Sequence, residues 1–258
     1  MRILLSNDDG IDAPGLAALE RHLEGLGEIW VVAPKHPQSA KSHALTMHKG
    51  LSIEQHAERR FAIAGTPVDT VYVATHDLMG GKADLVVSGI NRGANIGQDV
   101  HYSGTVAAAR EGVLLGIPSL AVSLHVDFSK SIDSHHWNTA GALARRVAGE
   151  IVERGLPSDT ILNLNVPDIP LETVRGIRAC ALGKHHYEAL VDRRVDPRGG
   201  TYCWLGGPHS DFGPDRNTEG RFVEEGWASL VPLTVQVTAT SMIGALAEWS
   251  AVDSAQSE

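Results

Sequence analysis

Residues 1–16, MRILLSNDDGIDAPGL, place an apolar run from Ile3 to Leu5 just before two adjacent carboxylates, Asp8 and Asp9, and a glycine, Gly10. Ile3, Leu4 and Leu5 read as a short buried strand. Two neighbouring acids at its end repel each other and resist burial unless a cation, a lysine or solvent meets them. In an extended strand they would face opposite sides, whereas Gly10 permits a turn that brings both toward one ion. A solvated surface turn is the plainer reading of the same residues.

Working outward, Asp12 is placed to cap a helix with Pro14 in its first turn, and Leu16, Leu19, Leu23 and Leu26 recur at helical spacing until Gly27. EIWVVAP, Glu28 to Pro34, supplies a second buried strand. Strand, helix and strand in so short a span predict parallel pairing through a right-handed crossover. The theme recurs in GTPVDTVYVATHDL, with Thr66 as cap, Pro67 at the first helical position and Asp69 near the positive helix end. ADLVVSGIN gives a strand over Asp84 to Ile90, a helix follows from about Thr105 to Leu115, and SLAVSL, Ser119 to Leu124, is a further strand. A long helix in HHWNTAGALARRVAGEIVERG and a strand in TILNLNVP complete the pattern. The fold class is α/β, a Rossmann-like doubly wound sheet over residues 1–175. Residues 176–258 read as a smaller β-rich part. It opens with hairpins and loops to about Trp227, continues with a strand in SLVPLTVQVTAT and a helix in GALAEWSA, and ends in the polar tail DSAQSE. Its strand and helix suit an oligomer interface, with a self-contained monomer as the plainer alternative.

With 258 residues, 43% hydrophobic and 21% charged, the chain can bury a substantial core. Its net charge of -9 argues against a surface built to hold a nucleic acid polymer and leaves room for a small phosphorylated ligand at a local site. Cys180 and Cys203 form no CxxC pair, so neither a zinc knuckle nor a disulfide framework is signalled. The N-terminal apolar run is too short for a signal peptide or a membrane span, and a cytoplasmic protein is expected.

Three loops at the predicted carboxyl ends of strands are rich in oxygen donors. Asn7, Asp8 and Asp9 follow the first strand, Ser39 and Ser42 the second, and Asn91, Asn95 and Asp99 lie in NRGANIGQDVHYSGT. Such hard donors suit Mg2+, Mn2+ or Ca2+. Ser103, Gly104 and Thr105 stand at a helix start, where free N–H groups and hydroxyls form either a phosphate site or a plain N-cap. Asn91 and Asn95 also fit as turn residues tolerating left-handed backbone. The glycines of NRGANIG match neither GxxxxGK[ST] nor GxGxxG. His43 and His101 fall in the candidate loops as acids or phosphate donors, while the histidine pairs at 135–136 and 185–186 read as helix-start or loop residues.

MRILLSNDDGIDAPGL, GTPVD, DLVVSGINRGANIGQDVHYSGTVAAAREG, ILNLNVPD and DPRGG together resemble the SurE family of survival-protein nucleotidases, with the likeness running to about residue 235. The resemblance implies a metal-dependent phosphatase of nucleoside 5'- and 3'-monophosphates, in some members also of short polyphosphate. It further implies a homodimer or homotetramer whose C-terminal elements exchange between subunits. By position, Asp8 and Asp9 match the metal-binding acids, Ser39 the serine of the second loop and Asn91 the asparagine of SGIN. Asn95 and Ser103-Gly104-Thr105 match residues around the phosphate pocket. The implied cofactor is one divalent ion per subunit, Mg2+ or Mn2+. Ala40 and Lys41 replace the glycine and small residue of the family's second loop, and Glu219 and Arg221 lie in a looser match to TDxxAV. Lys41 would then stand near substrate phosphate. The expected reaction is phosphomonoester hydrolysis, with Asp8 or Asp9 as ligand and base, and with a covalent aspartyl-phosphate through Asp8 as a further route. A noncatalytic nucleotide sensor and a nucleotide-sugar transferase use the same features differently; free phosphate, no product or a transferred sugar separates the three.

Overall fold

A computed structural model describes residues 1–249 and 251, except 189 and 208. The apolar run folds as β1 (Arg2–Ser6), followed by α1 (Pro14–Leu23), β2 (Glu28–Pro34), β3 (Ile53–Ala57), β4 (Arg60–Ile63) and α2 (Pro67–Val73). Then come β5 (Leu85–Arg92), α3 (Gly104–Leu114), β6 (Ser119–His125), α4 (Trp137–Arg154) and β7 (Thr160–Pro167). The remainder comprises β8 (Ile177–Ala179), β9 (His186–Tyr187), β10 (Leu190–Val195), β11 (Thr201–Gly206), β12 (His209–Asp211), α5 (Glu219–Glu224), β13 (Ala228–Thr234) and α6 (Thr240–Ala247).

Nine strands form one sheet in the order β3-β4-β2-β1-β5-β6-β7-β13-β8. The six from β4 to β7 run parallel, β3 is antiparallel to β4 and β13 to β7, and β8 runs parallel to β13. Alternation along β1 explains the two layers. Ile3 and Leu5 face α1 and α4 with Val87, Leu120 and Leu143, while Leu4 faces α2 and α3 with Val32, Val71 and Ala108. Leu16, Leu19 and Leu23 of α1 are fully buried, each contributing about 1.5–3 kcal/mol by leaving water. The chain leaves β1 toward β2 on one side and returns through β5 on the other. The gap between β1 and β5 is therefore the point where strand order reverses, and a doubly wound sheet opens a crevice there at the carboxyl ends.

Several boundaries differ from expectation for physical reasons. Ala13, not Asp12, is the N-cap of α1: the Ala13 N–H closes a turn onto the Gly10 carbonyl at 3.1 Å, which puts Pro14 at the first helical position and leaves Asp12 exposed. That helix stops at Leu23, short of Gly27. At α2 the expected cap is present as a reciprocal box, with Thr66 accepting from the Asp69 N–H and Asp69 from the Thr66 N–H. The last predicted strand ends at Thr234, where its partner β7 begins at Thr160, and Val237 beyond it is 96% exposed. From the C-terminal part, β13 and β8 extend the main sheet, while the β10–β11 hairpin stands off it and is largely exposed. The tail 253–258 lies outside the described residues.

Candidate active site

The turn after β1 is built by its own side chains. Asn7, fully buried, donates to the Gly10 carbonyl at 2.9 Å and accepts from the Gly10 N–H at 3.2 Å. Gly10 takes a φ of 104°, which a side chain would oppose. Asn7 is thus a clamp on the turn, and Asp8 and Asp9 both line a cavity of about 650 Å³ at the strand-order reversal.

Asp8 is only 5% exposed. The hydroxyl of Thr105 donates to its Oδ1 at 2.5 Å, the Thr105 N–H adds to this, and the start of α3 points at the carboxylate. Gly104 permits that approach, because a Cβ there would sit 2.7 Å from the Asp8 Cβ. Burial first, and the neighbouring Asp9 charge second, still push the Asp8 carboxyl up to about 6. Asp9 is raised too, again chiefly by burial, with the Arg92 N–H at 3.0 Å and the Arg92 charge pulling the other way.

The other expected residues divide into two groups. Ser39, Asn91, Asn95 and Ser103 line the same cavity as the two acids. Ser39 is exposed on a loop tied down by Gln38 N–H to the Asp8 carbonyl (2.8 Å), Ser42 to Tyr102 and His101, and Thr46 to Asp69. Asn91 donates to the Gly93 carbonyl at 2.8 Å. Asn95 is buried and fixed by Ser123 through its amide and by Asn163 and Asn165 through its backbone. Ser103 caps α3 by accepting from the Val106 N–H at 3.0 Å, which leaves its hydroxyl hydrogen for another acceptor. Gly104 and Thr105 lie behind the cavity wall, against Asp8. His43 instead pairs with Glu111 of α3 at 2.8 Å, and neither it, His101 nor Lys41 lines the cavity.

Arg92, Tyr102, His125 and Phe128, which sequence reasoning did not single out, also reach the wall, as does His185, expected only as a helix-start or loop residue. His185 is held by Asp99 at 2.5 Å, joining the loop after β5 to the C-terminal part. Buried Glu219 makes the same junction by accepting the N–H groups of Gly97 and Gly183. Nothing in local spacing marks such contacts, which join positions 36 to 122 residues apart.

The donor set suits a hard cation. A buried carboxylate, Asp8, and a half-buried one, Asp9, neither in an ion pair among the described residues, converge with a hydroxyl and an amide on one cavity. No group of three or more His, Cys, Asp or Glu side chains among the described residues is arranged around a metal position, so any ion here takes neutral oxygens beside the two acids.

A strand-order reversal carrying paired acids and a capped helix start marks an α/β protein with its ligand crevice at the carboxyl ends of β1 and β5. Residues 3–189 match the family described as Survival protein SurE, and the chain belongs to that family. It is 44% identical over 249 residues to the 5'-nucleotidase SurE of Geotalea uraniireducens, covering 96% of this chain and 99% of that one. Identity to the 5'-nucleotidase SurE of Aeromonas hydrophila subsp. hydrophila is 43% over 255 residues, covering 96% and 98%. The crystal structure of the SurE protein from Aquifex aeolicus superposes with a TM-score of 0.85 at 32% identity, over 96% of this chain and 98% of that chain.

Proposed function

We propose that this chain is a divalent-metal-dependent phosphomonoesterase that hydrolyses nucleoside 5'- and 3'-monophosphates to nucleoside and phosphate. The observation that carries the reading is the convergence of buried Asp8 and half-buried Asp9 on one cavity with the start of α3. The 5'-nucleotidase relatives, matched over nearly their whole length, support it. Asp8, Asp9, Ser39 and Asn91 would hold the ion, Mg2+ or Mn2+. When bound, it supplies Lewis acidity, neutralising charge on phosphoryl oxygens and lowering the pKa of water.

The chain's own groups do the rest. Thr105 favours the ionised form of Asp8 against the effect of burial and aims it by two donated hydrogen bonds. The Arg92 N–H fixes Asp9, the carboxylate with more room to accept a proton. Asn95 is held immobile at the wall, and the free hydroxyl hydrogen of Ser103 meets a phosphoryl oxygen. The exposed apolar side chains of the β10–β11 hairpin and of α6, among them Leu190, Trp204, Leu205, Met242 and Ile243, support self-association as a dimer or tetramer. No helix among the described residues is long and apolar enough to cross a membrane.

The test is phosphate release from a panel of nucleoside monophosphates and p-nitrophenyl phosphate by metal-stripped protein, with and without Mg2+ or Mn2+. Metal-dependent release is expected. Nucleotide binding without release under any metal would replace the enzyme by a sensor.

A further inference from the structure

Arg92 follows the ligand position Asn91, and its side chain is held by three groups. Its Nε donates to Nε2 of His135 at 3.4 Å, its Nη2 donates to the Lys130 carbonyl at 3.3 Å, and its guanidinium lies over the Phe128 ring, 5.1 Å from the centroid. Nη1 has no hydrogen-bond partner among the described residues. The residue lines the cavity shared by Asp8 and Asp9, and its charge already bears on Asp9.

The His135 side chain is fully buried, and its state follows from its neighbours. Nδ1 lies 2.8 Å from Oδ2 of Asp168. A carboxylate only accepts, so Nδ1 carries the hydrogen. An arginine Nε–H only donates, so Nε2 is the acceptor and presents its lone pair there. Asp168 is itself anchored, because Oδ1 accepts from the His136 N–H at 2.6 Å and meets the His136 ring at 3.0 Å. A chain centred on buried His135, from Asp168 to His135 to Arg92, therefore fixes a guanidinium at the wall with one amino group unassigned. An arginine that only stiffened the loop would have no need of a free amino group or of a place beside two acids.

We infer that Arg92 is a phosphoryl-binding residue, that its Nη1 donates to an oxygen of the scissile phosphate, and that His135 and Asp168 are the positioning residues that aim it. The inference rests on the phosphatase reading. The ligand class is the phosphate group itself, common to every substrate and to the product, so the effect is independent of the leaving group.

The experiment compares Arg92→Ala, Arg92→Lys, His135→Leu and His135→Gln with the parent chain. It measures kcat and KM on a nucleoside monophosphate and on p-nitrophenyl phosphate, calorimetric binding of inorganic phosphate in the presence of Mg2+, and thermal unfolding. Arg92→Ala is expected to lower kcat/KM about 100-fold on both substrates and to weaken phosphate binding at least 10-fold. Arg92→Lys keeps the charge without the fork and should fall between the two. His135→Leu should lose about 10-fold, mostly in kcat, and His135→Gln, which retains an acceptor for Nε–H, should recover most of that loss. If His135→Leu fails to fold, the Arg92 pair still decides. A loss confined to the nucleotide would make Arg92 a contact for the nucleoside and overturn the inference, as would unchanged phosphate binding by Arg92→Ala. If the parent chain releases phosphate from no substrate, the phosphatase reading falls, and the phosphate calorimetry alone judges the arginine.

Discussion

The turn after β1 and the loop after β2 deliver groups to the same cavity and are built in opposite ways. The first is four residues long in effect. Asn7 clamps Gly10, Thr105 and the start of α3 hold Asp8, and the Arg92 N–H holds Asp9. The second spans residues 35–52, is largely exposed, and has Ala40, Ser42 and His48 at positive φ. It is tied down by hydrogen bonds to Asp8, to His101 and Tyr102, and to Asp69. The two carboxylates sit on the short clamped turn and the neutral hydroxyl sits on the longer, exposed loop. Groups on a short clamped turn tolerate little displacement, whereas a group on a long exposed loop tolerates more.

The comparison predicts unequal costs. Asp9→Asn and Asp8→Asn should each reduce phosphate release by roughly 1,000-fold or more at saturating metal, because each removes a charge from the clamped turn. Turnover within tenfold of the parent would place the essential charge elsewhere. Ser39→Ala, on the exposed loop, should cost no more than about tenfold, read mainly as a higher metal requirement.

The same turn stores a stability cost that can be measured without substrate. With its carboxyl raised from 3.8 to about 6, Asp8 binds its proton more tightly folded than unfolded. Below about pH 4 it is protonated in both states and there is no penalty. The penalty grows as pH rises and is complete above about pH 6, at roughly 3 kcal/mol in metal-free protein. Asp8→Asn should therefore unfold at higher temperature than the parent at pH 7 without metal, and the gap should close toward pH 4. Added Mg2+ or Mn2+ should raise the parent's unfolding temperature and leave the variant's unchanged. A variant less stable than the parent at pH 7 would contradict this.

The smallest effect belongs to the loop. Ala40 has a φ of 57°, a region costly to residues with a Cβ, and the family form expected there carries glycine. Ala40→Gly should stabilise the fold by about 1 kcal/mol, shifting unfolding upward by about 2–4 °C, with kcat nearly unchanged.

What could be read from the chain follows the same division. Local chemistry announces itself. The apolar run before Asp8, the Thr66-Pro67-Asp69 box and the small-residue helix after Ser103 were all legible because each depends on residues within one turn of one another. Chain-distant arrangements do not. β3 is exposed along its whole length and carries no apolar alternation, and the antiparallel seat of β13 against β7 is settled only by the assembled sheet. His43 looked like a site residue because it sits in a site loop, yet it turns to Glu111, while His185 reaches the cavity from the C-terminal part. The Arg92, His135 and Asp168 chain draws on three separate segments, and no spacing rule joins them.

The most direct test titrates metal-stripped protein with Mn2+, following bound metal by electron paramagnetic resonance and phosphate release in the same samples, beside Asp9→Asn. The account predicts one site per chain, release proportional to its occupancy, and loss of both in the variant. Release at zero occupancy, or full binding and turnover by Asp9→Asn, would contradict it.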